Sequence, residues 1–390
     1  MMETIIIGTG SSRFGMFVDT PARTLAAEAV AEALKDAGLE GKDVGLVLVG
    51  NAVGGVVTGQ EMIRSQTILS QSLLVGRPMA AVENACASSS SAFYLAHLAI
   101  QSGMHDVVVV VGAEKMTSTD RTLATKALAA ATDVSLRQEA AGDGGKPRPV
   151  FMEIYAANAR NYMARSGATA EDFADVVAKN TRNGSLNPIA QVKVPLSRED
   201  VLNAREIVAP LTRPMCAGIG DGAAAIVLCS SGFARAKGKK GPKVRTSLLA
   251  SAEIEDNHEI VSRTAAKAFE AAGISPEDVS LVELHDAAAP AEIMVPEELL
   301  LVAQGDGPSL IRSGASRIDG RLPINPSGGL TARGHPVGAT GAAQIVELAN
   351  QLRGRCGPRQ VANPRIGLAE NAGGSIFNGA AACMITLLEA

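Results

Sequence analysis

Leu25-Ala26-Ala27-Glu28-Ala29-Val30-Ala31-Glu32-Ala33-Leu34-Lys35-Asp36-Ala37-Gly38, followed by Asp43-Val44-Gly45-Leu46-Val47-Leu48-Val49-Gly50-Asn51, reads as an Ala-rich helix, a glycine stop and a β-branched strand. The pattern returns in Arg263-Thr264-Ala265-Ala266-Lys267-Ala268-Phe269-Glu270-Ala271-Ala272-Gly273 and Asp278-Val279-Ser280-Leu281-Val282-Glu283-Leu284-His285-Asp286. Gly38 and Gly273, like Asp43 and Asp278, are 235 residues apart, and Ala-Gly, Asp-Val and Leu-Val carry across without a gap, which points to duplication. In each copy the Ala-Gly pair predicts a helix C-cap, the Asp marks a short turn, and the strand is apolar enough to be buried on both faces.

Working outward, Val107–Gly112 and Ala224–Cys229 predict further buried strands. The expectation is an α/β protein of two similar halves, with buried sheets stacked through helices. The halves are placed at residues 1–240 and 241–390, dividing near 231–244, where Ser231–Pro242 is basic, turn-rich and read as solvated linker. Residues 117–215 do not fit the repeat. They hold a Gly-rich stretch, Ala141–Pro147, and polar helices near Glu153–Ser166 and Ala170–Asn183, an insertion read either as a lid or ligand-binding region or as a structural excursion.

With 390 residues, 46% of them hydrophobic, the chain can bury an extensive core. A formal net charge of −4, 3% aromatic residues and no Trp supply neither the charge nor the stacking surfaces of a nucleic-acid binder. The start, Met1–Gly8, reads as a first strand rather than a secretory signal, and no apolar run approaches membrane-spanning length, so a cytoplasmic location and no membrane partner are expected. Cys216, Cys229, Cys356 and Cys383 are scattered without metal-ligand spacing, so no metal site is expected.

Cys86 is the most informative single residue. It follows the buried-looking run Pro78–Ala85 and opens a small-residue helix, Ala87–Ile100, closed by Gly103. At such a strand-to-helix junction, unpaired N–H groups and the helix dipole favour a thiolate, which makes Cys86 a candidate nucleophile. Position alone leaves a buried structural thiol equally open. The second candidate region, Asn325-Pro326-Ser327-Gly328-Gly329-Leu330-Thr331-Ala332-Arg333-Gly334-His335-Pro336-Val337-Gly338-Ala339-Thr340-Gly341, surrounds one histidine with glycines that let backbone approach a ligand. His335 is therefore expected at a helix start, facing a cavity; His285, ending its strand, is a weaker candidate.

Asn84-Ala85-Cys86-Ala87-Ser88, Gly112-Ala113-Glu114-Lys115-Met116, Asp221–Ala225, His285-Asp286 and the Gly-His-Pro loop together resemble the thiolases, in their sterol-carrier-protein-2-type branch. Val177–Asn180 and Asn187-Pro188 extend the resemblance into the insertion. It implies a thiolase fold, two duplicated half-domains layered α-β-α-β-α with an inserted loop domain, commonly a homodimer or tetramer handling acyl-CoA thioesters, with coenzyme A as substrate and no covalently bound cofactor. By the same resemblance Cys86 attacks the 3-keto carbon of a 3-oxoacyl-CoA, His335 activates the sulfur, and the backbone N–H groups of Cys86 and Gly374 meet the oxyanion. His285 would join His335 in polarising the thioester oxygen. Relatives in the branch are often found with a small zinc-ribbon and OB-fold subunit, so a hetero-oligomer is a second expectation.

The chain departs from the family at one function. Most thiolases carry a second cysteine as general acid and base, in a Cys-x-Gly near the C-terminus or after His-Asp; here the two places hold Ala372 and Ala287. His285, His335, Glu370 or an ordered water must take over. Thiolytic cleavage of a 3-oxoacyl-CoA is the leading reading. A Claisen condensing enzyme using the Cys-His-His set, a retro-aldol lyase and a non-catalytic subunit are the alternatives. Ala287, Ala288, Ala289 and Pro290 replace bulkier family residues and predict a pocket roomier than acetoacetyl-CoA needs, for a branched, aromatic or dicarboxylic acyl group. Contacts to the CoA nucleotide are expected from basic residues of the insertion.

Overall fold

The computed structural model describes residues 2–135, 150–254, 259–377 and 379–390. The Gly-rich stretch Ala141–Pro147 lies outside the described residues. The two copies of the repeat fold alike. Helix α1, Ala22–Ala37, buries Leu25, Ala26, Ala29, Val30, Ala33, Leu34 and Ala37, a stripe at helical spacing. Its counterpart Ile260–Ala272 buries Ile260, Val261, Thr264, Ala265, Ala268, Phe269 and Ala272, the same seven places of the repeat. Both end on a glycine in the left-handed region, Gly38 at φ 60° and Gly273 at φ 63°, a conformation that side chains with a Cβ resist. A one-turn 3₁₀ helix with a reciprocal cap follows each, Gly41–Asp43 closed by Glu40 and Asp43, and Pro276–Asp278 closed by Ser275 and Asp278.

Nine strands form the main sheet among the described residues: β1 Thr4–Ser11, β2 Leu46–Gly50, β3 Met79–Val82, β4 Val107–Glu114, β5 Gly222–Ser230, β6 Lys243–Ser251, β7 Leu281–Glu283, β8 Ile366–Gly373 and β9 Ala382–Glu389. They run in the order β3-β2-β4-β5-β1-β6-β9-β8-β7. Because β1 and β6 pair only through Ile5 and Lys243, the arrangement is two sheets meeting at an edge. Helices α2, Ser88–Gln101, and α6, Thr340–Leu352, lie between the sheets; α1 covers the outer face of the first and α5, Ile260–Ala272, that of the second. This is the α-β-α-β-α layering of the thiolase fold.

Strand alternation explains how one chain feeds three core layers. In β4, Val107, Val109 and Val111 face α1 while Val108 and Val110 face the central helices. The third layer joins α5 to Ile366, Leu368, Ile385 and Leu387. Helix α6 is buried along nearly its whole length, as a helix between two sheets must be, whereas α2 leaves Leu95 and Leu98 exposed. A Cβ on Gly341, in the first turn of α6, would lie 1.8 Å from Ser90 Oγ, so the two central helices cross in near backbone contact there. Helices α3, Val150–Ser166, and α4, Ala170–Ser185, match the two helices expected in the insertion and pack on Ala288, Ala289 and Ile293 just after His285.

Two local expectations change. The run before Cys86 is not buried: β3 is the edge strand, paired on one side only, and Ala80 and Ala81 are exposed. Residues 231–244 are not plain solvated linker either. Ser230 caps a helix over Ser231–Ala236 whose Ala234 is buried, and the Ile6 N–H donates to the Pro242 carbonyl before β6 begins.

Candidate active site

Cys86 lies in a 3₁₀ turn, Ala85–Ala87, that runs straight into α2. Ala85 takes φ 49°, unusual for a residue with a Cβ, and the bend is held by side chains. The Asn84 N–H donates to Ser88 Oγ at 3.0 Å, Ser88 Oγ donates to the Ala85 carbonyl at 2.6 Å, and the Ala85 N–H donates to Glu83 Oε1 at 2.6 Å. No backbone partner takes the Cys86 N–H among the described residues, leaving that donor beside the sulfur.

His335 does not open a helix directly; Pro336 follows it, then a 3₁₀ turn over Val337–Ala339, and α6 begins at Thr340. Its Nδ1 is 2.7 Å from Thr340 Oγ1, and that hydroxyl lies 3.2 Å from the Pro336 carbonyl. With the hydroxyl proton given to the carbonyl, the Thr340 oxygen accepts the Nδ1–H, and Nε2 of His335 is left as a base. That tautomer follows from the bonding network. His285 follows β7, its backbone N–H donating to Glu370 Oε2 at 2.9 Å, while its Nε2 is buried without a partner in the protein.

The loops carrying the two histidines are tied by buried charge. Glu283, two residues before His285, accepts from the Ser327 N–H (2.9 Å), Ser327 Oγ (2.7 Å) and Arg333 Nη1 (3.2 Å), and Arg333 is two residues before His335. Asp286 accepts the Leu330 N–H at 2.7 Å and Asn180 Nδ2 at 3.1 Å. Lys179 pairs with Glu292 at 2.8 Å. From the other sheet, Glu114 accepts from Asn51 Nδ2 (2.7 Å) and from the N–H groups of Ala52 (2.8 Å), Val53 (3.2 Å) and Gly338 (3.0 Å), so it clamps the His335 loop beside the Cys86 turn. Asp221 takes Lys115 Nζ at 2.9 Å and the Met116 and Thr117 N–H groups at 2.7 and 2.8 Å. Much of the motif set quoted from the sequence is thus scaffold around two loops.

The result is one cluster. The reactive atoms of Cys86, His285 and His335 all lie within 4.8 Å of one another, and the imidazole rings meet edge to face at 5.2 Å. They sit in the wall of a cavity of about 500 Å³, together with Glu370, Ala372, Gly374, Ala287, Ala288 and Pro290. The insertion contributes Phe151, Met152, Ile154, Tyr155 and Asn158. Those residues are not basic; Arg137, Lys146 and Arg148 of the insertion lie outside the described residues, and among the described residues the lining supplies one cation, Arg64, against Glu61, Glu83, Glu298 and Glu370.

Electrostatics overturn one expectation about Cys86. Burial, with the Glu114 carboxyl adding to it, pushes its thiol up to about 12, against a smaller pull from its own N–H. The sulfur touches the cavity, yet the protein around it removes the water that would solvate an anion. Burial likewise lowers His285 to about 4, and holds His335 well below its ordinary range, with the neighbouring imidazole and Arg333 adding repulsion. The resting site is therefore a neutral thiol beside two neutral imidazoles. Burial raises Glu370 to about 7, and Glu298, with Glu370 beside it, to about 8. Sequence reasoning missed Glu298 and Tyr155, whose neighbours form no motif; Glu114 and Arg333 stood inside quoted motifs without a role.

Residues 4–201 match the family model for the thiolase N-terminal domain, and residues 246–386 that for the thiolase C-terminal domain-like segment. The chain is 39% identical to an acetyl-CoA acetyltransferase of Methanothermobacter thermautotrophicus over 96% of its own length and 97% of the relative's. It is 35% identical to benzoylsuccinyl-CoA thiolase subunit BbsB of Thauera aromatica, covering 95% of each, and 31% identical to sterol carrier protein 2 of Homo sapiens over 96% of this chain and 70% of that one. Among solved structures, an Ltp2-ChsH2(DUF35) aldolase superposes with a TM-score of 0.78 at 24% identity, covering 100% of this chain and 98% of that one. Human mitochondrial 3-ketoacyl-CoA thiolase does so at 0.76 and 16%, covering 100% and 99%, a likeness of fold. A duplicated layered fold, a cysteine turn facing a Gly-His-Pro loop, and family matches along both segments lead to one conclusion: this chain belongs to the thiolase family, in its sterol-carrier-protein-2-type branch, and is an acyltransferase that uses coenzyme A as a substrate.

Proposed function

We propose that the protein cleaves a 3-oxoacyl-CoA with coenzyme A through an acyl-enzyme on Cys86. The observation that carries this reading is the sulfur and two imidazoles within 4.8 Å at the wall of one cavity. His335 Nε2 takes the Cys86 proton as the sulfur attacks the 3-keto carbon. Because neither thiolate nor imidazolium is favoured at rest, proton transfer accompanies bond formation instead of preceding it. The N–H groups of Cys86 and Gly374, with His335, receive the oxyanion, and the unpartnered His285 Nε2 polarises the thioester oxygen.

The small side chains of Ala287, Ala288, Pro290 and Ala291, which line the cavity with Phe151, Met294 and Val295, fit an acyl group larger than acetoacetyl, with branched and aromatic chains suiting an apolar wall. The functional unit is a homodimer, joined by a small OB-fold and zinc-ribbon subunit. Its support is relatives whose names include a subunit and a DUF35 chain. Rapid mixing with a 3-oxoacyl-CoA, read by intact mass, should show one acyl adduct on the protein, abolished by Cys86→Ala. A substrate panel in which acetoacetyl-CoA is turned over best would overturn the acyl preference, and full turnover by Cys86→Ala would overturn the mechanism.

A further inference from the structure

The reaction leaves one proton to be assigned. Breaking the C2–C3 bond of a 3-oxoacyl-CoA releases an enolate that must be protonated at C2, and the CoA that follows must lose a proton. At the two positions where a second cysteine would do this, Ala372 and Ala287 present methyl groups to the cavity. We propose that Glu370 is the catalytic acid and base of this step, its carboxyl protonating C2 of the leaving enolate and its carboxylate then taking the proton of the CoA thiol. The assignment rests on the reading of the site as an acyl-transfer centre.

Strand geometry favours it. Glu370 and Ala372 are two residues apart in β8, so their side chains leave the same face of the strand, and both line the cavity with Cys86, His285 and His335. The Glu370 side chain is fixed by the His285 N–H on one oxygen at 2.9 Å, and no ion pair to it occurs among the described residues. A buried carboxyl in that state sits at about 7, where a group can both give and take a proton in neutral solution. The titratable groups facing it are Glu298 from the helix Ala291–Glu298, Tyr155 from α3, Cys383 from β9 and His285. Burial keeps all four uncharged near neutrality, so no fixed charge forces Glu370 either way. His335 is already committed to the Cys86 proton.

The step balances. The Cys86 proton moves to His335 Nε2 as sulfur bonds to C3. The C2–C3 electron pair leaves as the enolate, and the Glu370 proton closes C2 to give acetyl-CoA. The CoA thiol returns a proton to Glu370 while its sulfur takes the acyl group, and the departing Cys86 sulfur recovers its proton from His335.

Glu370→Gln keeps the size of the side chain and an acceptor for the His285 N–H, and its thermal melting should match the parent. With acetyl-CoA, this variant should still load Cys86 to full stoichiometry by intact mass, because a thiolate can leave unaided, while thiolysis of a 3-oxoacyl-CoA falls about 100-fold or more. Glu370→Asp, which retains a carboxyl, should recover part of the loss. Separately, the Cys86→Ala protein in D₂O should exchange the C2 hydrogens of acetyl-CoA, faster as pH rises through about 7 and Glu370 ionises. Adding Glu370→Gln should slow that exchange about 100-fold and remove the pH step. Undiminished thiolysis or exchange in the Gln variants, or equal loss of loading and cleavage, overturns the assignment. The exchange arm does not involve the Cys86 sulfur, so failure of acyl loading in the parent protein would count against the acyl-enzyme alone.

Discussion

A cysteine at the start of a helix invites the inference of a stabilised anion, and at Cys86 that inference meets a stronger opponent. A helix terminus contributes about 0.3–1 kcal/mol at an exposed site, less than one unit of pKa, whereas burial moves such groups by up to about 3–5 units. Burial wins, and the thiol is held at about 12. A raised thiol pKa means that the anion fraction grows about tenfold per pH unit throughout the neutral range. Alkylation of Cys86 by iodoacetamide, followed by mass spectrometry, should therefore climb continuously from about pH 6 to 9 with no plateau. A plateau already reached at pH 7 would show a stable thiolate and imidazolium pair. The residues of this site were unevenly legible: Cys86 and His335 stood in glycine- and serine-rich surroundings that marked them, but their protonation depends on what the fold packs around them. Glu298 announces itself through nothing nearby in the sequence, because its character comes from burial next to Glu370, 72 positions away.

Among the elements, the pair of central helices is where the site can be broken from a distance. The Cys86 turn opens α2 and the His335 loop opens α6, and the two helices touch at Gly341 and Ser90. A methyl group on Gly341 would fall 1.8 Å from Ser90 Oγ and 2.7 Å from the Ser90 backbone nitrogen, so Gly341→Ala should cost about 1–3 kcal/mol in chemical denaturation and lower kcat by spreading the two turns. Ser90→Gly on that background should restore only part of both, since the backbone contact persists. An unchanged melting curve for Gly341→Ala would mean that the helices separate freely. The helix and strand of each repeat were readable because seven inward positions keep one spacing in both copies. Strand β3 was not, since an apolar run of four residues looks alike whether it lies inside a sheet or on its rim. The short helix at Ser231–Ala236 was hidden by its lysines and arginines, which stay in water while Ala234 turns inward.

Across the whole molecule, nucleophile and base come from different sheets, and their register depends on contacts that bridge the two. Glu114 is the clearest bridge, with the Gly338 N–H of the His335 loop and three donors from residues 51–53 all on one buried carboxyl. Glu114→Ala strands the N–H groups of Ala52, Val53 and Gly338, while Asn51 Nδ2 keeps the Ala113 carbonyl; at about 1–3 kcal/mol for each unsatisfied group the loss of stability should reach about 3 kcal/mol or more by denaturant titration. The same variant removes a carboxyl that raises the Cys86 thiol, so the surviving folded fraction should alkylate faster at fixed pH. Stability within about 1 kcal/mol of the parent would place the bridge elsewhere. The layered architecture could be anticipated from the duplicated pattern; the clamp could not, because Glu114 and Gly338 meet only after both sheets have formed. The protonated state of the Cys86 sulfur reaches beyond catalysis. Hydrogen peroxide converts cysteine to sulfenic acid through the anion, so a nucleophile stored in the neutral form meets the oxidant more slowly than a standing thiolate would.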